Sequence, residues 1–518
     1  MNVTFYGATR EVTGSMHMIS TKQDRILLDC GMYQGKRQEA KAKNKSFPFD
    51  PRLITNMVLS HAHIDHSGRI PYLTKKNFTG RVVCTIATQD ACKPLLADSA
   101  HIQESDASYL NYKAARNVLN QDSHTNKEKR DIQKILKKNG HNLNLEAIDE
   151  LADRYHLDKI EPLYTAKDAE ASLTQFDGIP YRERIQIGEK TDCILYDAGH
   201  ILGSAFSIIR HKIDGRNLRV CFTGDLGRFG KPIIKDPTLN FAEEDRDIDL
   251  LIMESTYGNR FHEPAVDMKA ALCKVINKAS ERKGTILIPA FSYGRTQEML
   301  YLLHELYNEK SIPRIPVYVD SPLSSKITKV FGEHPEVYDR DTHKTFLEKG
   351  ENPFAFKQLN FVESVEESMA LNRDDSPHIV ISASGMCEAG RILHHLRHKI
   401  HNPSTTIIFV GFMAEHTLGR RLQEKGLEFE ESGRKGKPPV QRFLNKEYPM
   451  YAHVEVLNGF SAHGDQSELL KFLKESNLRV KRIAVVHGEE EQSLAFADKL
   501  TTEGFKAFVP FSGETVRV

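Results

Sequence analysis

Residues 59–68 read LSHAHIDHSG, and the placing of four donors in this stretch decides how the whole chain is read. The run follows the apolar NMV of residues 56–58, so His61, His63, Asp65 and His66 sit where a strand gives way to a turn. Alternate side chains along an extended backbone point to opposite sides. His61 and His63, two positions apart, can therefore face the same way. Imidazole nitrogen and carboxylate oxygen are donors that zinc prefers. A single histidine here would read as a polar surface turn, whereas four donors in this order read as a metal site.

Two further strand ends extend the set. YDAGHILGSA (196–205) offers His200, and CFTGDLG (221–227) offers Asp225 at a Gly-flanked turn. Taken singly, each is more often a turn-capping group. With the first cluster they supply five or six donors from three strand ends, enough for two metals sharing a bridging carboxylate. Asp29, in LLDCG (27–31), is a further strand-end acid, expected to orient a ligand histidine rather than to bind metal itself.

The surrounding pattern is split. Short β-rich runs such as NVTFYG (2–7), RILLDCG (25–31) and CILYDAGH (193–200) are separated by Gly and Pro turns, as expected of sheet strands. Between about 90 and 160 the texture turns helical and polar, and NKEKRDIQKILKKNG (126–140) carries six Lys or Arg against two acids. A basic helical face there would add phosphate contacts, and a solvated helical surface is an equal reading. From about 250, nearly all-apolar runs (LLIME, TILIPA, PVYVD, HIVISAS, TIIFVG) alternate with helix-like segments. That rhythm reads as a parallel, doubly wound α/β sheet. Strand-like runs return at HVEVLNGF (453–460) and RIAVVHG (482–488) after a Gly-, Pro- and Lys-rich loop. A domain divided in sequence by an inserted one accounts for this order.

A length of 518 residues exceeds one hydrophobic core. With 71 basic and 70 acidic side chains, no global positive field draws in nucleic acid, so any polyanion site rests on local clusters, metal ions or backbone dipoles. The amino terminus has no apolar signal core and no stretch reaches transmembrane length. The seven cysteines are scattered and form no C-x-x-C pair, which fits buried free thiols and a reducing cytoplasm.

HAHIDH, the Gly-His of AGHILG and the Asp of FTGDLG resemble the motif series of the metallo-β-lactamase fold. MESTYGNR at Glu254, GFSAHGD at His463 and VVHGE at His487 resemble the three later motifs of its β-CASP nuclease branch, which includes the cleavage-and-polyadenylation endonuclease and ribonuclease J. IPAFSYGRTQEMLYLL, VDSPLS and ISASGMCEAGRILHHL are similar to further stretches of that branch, so the likeness spans the chain except roughly residues 105–160. It implies an αββα sandwich with an inserted parallel α/β β-CASP domain, divided as 1–255, 256–447 and 448–518 with a polar helical insertion at about 105–160. It also implies a zinc-dependent ribonuclease with two Zn2+ ions. His61, His63 and His200 would hold one zinc and Asp65, His66 and His487 the other, with Asp225 bridging. His463 would be the general acid, oriented by Glu254. The two ions would polarise the phosphodiester and activate water near neutral pH.

Other residues receive plainer readings. His394, His395, His398 and His401 crowd one short helix, where a solvated or phosphate-facing surface suffices. Arg295 and the turn Ser384-Gly385-Met386 are candidate substrate contacts, the turn leading into a helix whose first N–H groups suit a phosphate. Glu388 stands where the family has a small residue and would weaken such binding; His416 is assigned no role. A small-molecule hydrolase acting on thioesters or lactams leaves Glu254, His463 and the insertion unexplained. A DNA-directed nuclease is disfavoured by the histidine at 487, where the family's DNA-repair members resemble one another in carrying valine. The expected partner is therefore single-stranded RNA, cut endonucleolytically, with no membrane and with self-association left open.

Overall fold

The computed structural model describes residues 1–35, 37–121, 125, 134–138, 142–262, 268–411, 413–414, 416–457 and 459–518. Two seven-stranded sheets face each other. The first runs in the order Thr515–Arg517, Asn2–Gly7, Met16–Ser20, Arg25–Leu28, Asn56–Val58, Val82–Thr85, Phe176–Ile179. The second runs Ala507–Phe508, Ile483–Val486, Leu250–Glu254, Arg216–Phe222, Ala205–Ile213, Thr191–Asp197, Arg184–Gly188. Each sheet thus takes strands from both ends of the chain, which closes the divided domain.

The layer between them is apolar. Phe5, Ile26, Leu28 and Val58 from the first sheet meet Leu195, Val220, Ile252 and Val486 from the second, all fully or almost fully buried. Each such side chain contributes about 1.5–3 kcal/mol of burial. The outer face of the second sheet is covered by Gln466–Glu475 and Glu490–Thr502, whose Phe472 and Phe496 pack on Phe206 and Met253. Alternation is visible in Asn2–Gly7, where buried and partly exposed positions take turns, as a strand with one covered face requires.

The inserted unit has a six-stranded, wholly parallel sheet in the order Leu359–Phe361, Val317–Val319, His378–Ser382, Thr285–Pro289, Thr406–Phe409, His453–Val456. Its central strands are buried along their whole length, because helices cover both faces. His453–Val456, assigned from sequence to the returning outer domain after residue 447, pairs instead with Thr406–Phe409. A short apolar strand carries no mark of which sheet it joins.

Within 105–160, the helix Ile86–Gln121 runs on into the insertion and Leu145–Arg154 packs against it through Tyr112, Ala115, Leu136 and Ile148. Lys138 pairs with Glu146 at 2.9 Å; Lys127, Lys129 and Arg130 lie outside the described residues. All seven cysteines are free, and all but Cys273 are buried. No helix among the described residues is long and apolar enough to cross a membrane.

Candidate active site

The site forms where strands of both sheets end at the same edge. Asn56–Val58 runs into His61 and His63, and the single helical turn Ile64–Ser67 then presents Asp65 and His66. Thr191–Asp197 ends just before His200, and Arg216–Phe222 just before Asp225. Leu250–Glu254 and Ile483–Val486 are parallel neighbours, with Glu254 opposite Val486. That register sets His487 beside the end of the strand carrying Glu254. The turn with Asp65 lies close against Gly31, where a Cβ would fall 1.6 Å from the Asp65 carbonyl oxygen; only glycine admits that approach.

Three groups of donors result. His61, His63, His200 and Asp225 converge, as do Asp65, His66 and His487, and as do Asp225, Glu254 and His463, with ligand atoms within 4.8 Å inside each group. His61 Nε2 lies 3.0 Å from His63 Nδ1, and His200 Nε2 lies 3.4 Å from the same atom. His66 Nε2 faces His487 Nε2 at 3.1 Å. Asp225 Oδ2 stands 3.4 Å from His61 Nε2, 3.6 Å from His200 Nε2 and 3.3 Å from His66 Nε2, between the first two groups.

Imidazole nitrogens from several elements converge on one buried space, an arrangement that a shared cation would satisfy. Asp225 Oδ1 is likewise buried with no hydrogen bond. Burial, reinforced by the neighbouring His66, pushes the His61 imidazole well below its ordinary range, and burial holds His63 at about 4. Both stay neutral near pH 7, the state in which nitrogen binds metal. These observations fit a bound cation, and the donor set of nitrogen and carboxylate oxygen suits zinc.

The surrounding contacts orient the donors. Asp29 Oδ2 lies 2.6 Å from His66 Nδ1, and the same carboxylate accepts from the Ser60 N–H at 2.8 Å and the Ser15 hydroxyl at 3.0 Å. Glu254 is fully buried and accepts from the Leu226 N–H at 2.6 Å and, more loosely, from Thr256 N–H at 3.3 Å. His463 Nδ1 lies 3.1 Å from Glu254 Oε1. Burial alone would lower the His463 pKa, but the carboxylates of Glu254 and Asp225 outweigh it and bring it up to about 9.

Several residues that the sequence did not single out belong to this edge. The Tyr293 ring packs against His63 at 5.5 Å, and its hydroxyl donates to the Leu202 carbonyl at 2.5 Å. The His262 N–H donates to Asp465 at 2.7 Å, and its Nε2 lies 3.2 Å from the His463 carbonyl. Tyr293 lies in the motif stretch 288–303, whereas His262 falls two residues past MESTYGNR (253–260) and carried no signal.

The candidate substrate contacts have partners within the chain. The Arg295 guanidinium is largely covered, ion-paired with Glu298 and laid over Phe460 at 5.2 Å. Ser384 Oγ accepts the N–H groups of Glu388 and Ala389 at 3.1 and 3.3 Å within its own turn. That turn does not enter a helix directly, because Cys387 and Gly390 take left-handed φ values and the helix begins only at Ile392. Glu388 Oε1 accepts the Leu418 N–H at 2.5 Å, capping the helix Leu418–Glu431. Of the crowded histidines, His394, His398 and His401 are exposed, but His395 is fully buried against Asp320 at 2.6 Å and corrects the surface reading. His416 is exposed with φ of 66°.

Strand-end imidazoles and carboxylates gathered at one edge of two facing sheets define a metal-dependent hydrolase of the metallo-β-lactamase architecture. Residues 9–132 match the metallo-beta-lactamase superfamily, 296–422 the Beta-Casp domain, and 447–510 the Zn-dependent metallo-hydrolase RNA specificity domain. The chain is 32% identical to Ribonuclease TTHA0252 of Thermus thermophilus over all of both chains. It is 29% identical to the Transcription termination factor FttA of Methanosarcina mazei, over 96% of this chain and 69% of that one. A crystal structure of a protein of unknown function from Enterococcus faecalis V583 shares the fold across 100% of this chain and 99% of that one, with a TM-score of 0.51 and 12% identity. The chain belongs to the β-CASP family of metallo-β-lactamase-fold ribonucleases.

Proposed function

We propose that the chain is a two-zinc endoribonuclease that cuts single-stranded RNA in the cytoplasm. The observation that carries this reading is the convergence of seven metal donors beside a separately held His463–Glu254 pair. His61, His63 and His200 would hold one ion and Asp65, His66 and His487 the other, with Asp225 serving both. When bound, the two ions supply Lewis acidity toward the phosphodiester and a nucleophilic water near neutral pH.

The remaining steps belong to the chain's own side chains. Glu254, pinned by the Leu226 N–H, accepts a hydrogen bond from His463 Nδ1–H and favours the doubly protonated imidazole, whose Nε2–H is then the proton donor. As water adds to phosphorus, the bond to the leaving ribose oxygen breaks and that oxygen takes the Nε2 proton. Asp29 holds His66 in its tautomer through Nδ1. The cytoplasmic setting is supported by seven unpaired cysteines. In the domain division we favour, the insertion spans 256–456, because His453–Val456 completes its sheet; residues 1–255 and 457–518 form the sandwich.

The test is cleavage of internally labelled single-stranded RNA, 5′-phosphorylated RNA and matched DNA by protein of measured zinc content. Internal cuts in RNA alone, with two zinc ions per chain, are expected. Release of mononucleotides from the 5′ end would replace the endonuclease reading with an exonuclease one, and hydrolysis of thioesters or lactams alone would remove RNA as substrate.

A further inference from the structure

Two phenylalanines beside the site are exposed to an extent that their chemistry does not favour. Phe291 is 45% exposed and Phe261 is 69% exposed. Phe511 is exposed too, but the Arg10 guanidinium lies 3.7 Å over its ring. Among the described residues, neither Phe261 nor Phe291 meets a cation or another ring.

Both are held at the reaction edge by neighbours in the chain. Phe291 stands two residues before Tyr293, whose ring touches His63. Its carbonyl accepts the Thr296 N–H at 3.2 Å. The Phe291 ring lies over Gly385, where a Cβ would fall 3.0 Å from its Cδ2. One side of the ring is therefore seated on the Ser384–Met386 turn, while nearly half of the residue stays open. Phe261 precedes His262, which is tied at both its N–H and its ring to the turn carrying His463 and Asp465. The Tyr257 ring packs on His262 at 4.4 Å. Open aromatic faces are the surfaces on which proteins hold unpaired nucleotides, the rings stacking on the bases.

We infer that Phe291 and Phe261 are stacking platforms for nucleobases on either side of the cleaved phosphate, so that the site takes its RNA unpaired and splayed. This rests on the ribonuclease reading above. A base inside a duplex is covered on both faces and offers none to a phenyl ring.

The experiment compares the zinc-loaded wild type with Phe291→Ala, Phe261→Ala and Phe291→Tyr in single-turnover cleavage of one single-stranded RNA. The same RNA is then used with abasic ribose at the nucleotides flanking the cut. Loss of one stacked base corresponds to roughly a 5- to 150-fold rise in the half-saturating concentration. Each alanine variant should show that rise on the intact RNA and no difference from wild type on the matching abasic RNA, and Phe291→Tyr should restore the wild-type value. An equal defect on intact and abasic RNA would assign the rings to packing of their turns and overturn the inference. So would alanine variants that bind intact RNA as the wild type does. If the wild type cleaves no RNA, the ribonuclease reading fails and the inference with it, an outcome distinct from a wild type that cleaves RNA and is indifferent to either ring.

Discussion

His463 Nδ1 lies 3.1 and 3.2 Å from the two oxygens of Glu254, a residue 209 positions earlier in the chain. The same carboxylate accepts the Leu226 N–H, directly after Asp225. One buried acid therefore holds the imidazole and the loop of the proposed bridging aspartate in a common frame.

From this follows a separation of the two late histidines. His463→Ala should keep both zinc ions and bind RNA, yet cleave roughly 10²–10⁴-fold more slowly, the scale of a lost proton donor. His487→Ala should lower the zinc content. Glu254→Gln should show a milder form of the His463 defect, with the alkaline limb of its pH–rate profile moved to lower pH, because the carboxylate that raises the His463 pKa is gone. Zinc stoichiometry beside single-turnover rates checks all three. Loss of metal from His463→Ala with full retention in His487→Ala would reverse the assignment.

Removal of a donor at the centre should be felt by the metal content before anything else. His63→Ala and Asp225→Ala should each lose zinc in large part and lose activity with it, Asp225→Ala more completely, since its Oδ2 lies within 3.6 Å of donors from both groups. Metal analysis and circular dichroism on the purified variants separate this from unfolding. A full zinc complement in Asp225→Ala would exclude it as the bridge.

Gly31→Ala tests the backing of the site without touching a donor. Its new methyl would occupy the place of the Asp65 carbonyl, so the turn Ile64–Ser67 must move. Overpacking of this kind costs about 1–3 kcal/mol, and more where backbone must shift. A lower unfolding midpoint together with weakened zinc retention under chelator is expected. A variant with wild-type zinc retention would show that the turn can shift without disturbing Asp65 and His66.

The Asp320–His395 pair, in contrast, should matter for stability alone. Asp320 is fully buried and accepts from His395 at 2.6 Å, Ser368 at 2.6 Å and Arg391 at 2.7 Å. His395→Ala removes one donor from a buried carboxylate, a loss of about 1–3 kcal/mol. Urea unfolding should show that loss while zinc content stays at the wild-type value. A drop in zinc content would connect the helix Ile392–Lys399 to the metal centre, against this expectation.

The glycines and histidines of the motif stretches were legible because their chemistry is local. LSHAHIDHSG places four donors within six residues, a density that little besides metal binding requires. Apolar runs bounded by turn residues likewise made the strands readable one at a time. The helix expected to follow directly on the turn Ser384-Gly385-Met386 begins only at Ile392, after left-handed residues at Cys387 and Gly390, which a helical pattern of side chains does not reveal.

The sequence by itself determined the two sheet types, the insertion of one unit into another and which residues bring donor atoms together at the site, since strand period and donor chemistry are written in neighbouring residues. Only the tertiary structure decided which sheet His453–Val456 joins, that His395 is buried against Asp320, that Arg295 is engaged by Glu298, and that Phe261 and Phe291 stay open beside the site. Each of those depends on a partner that is distant in sequence, or on the lack of one. Burial and pairing arise when the chain closes on itself, and no local run of residues encodes them.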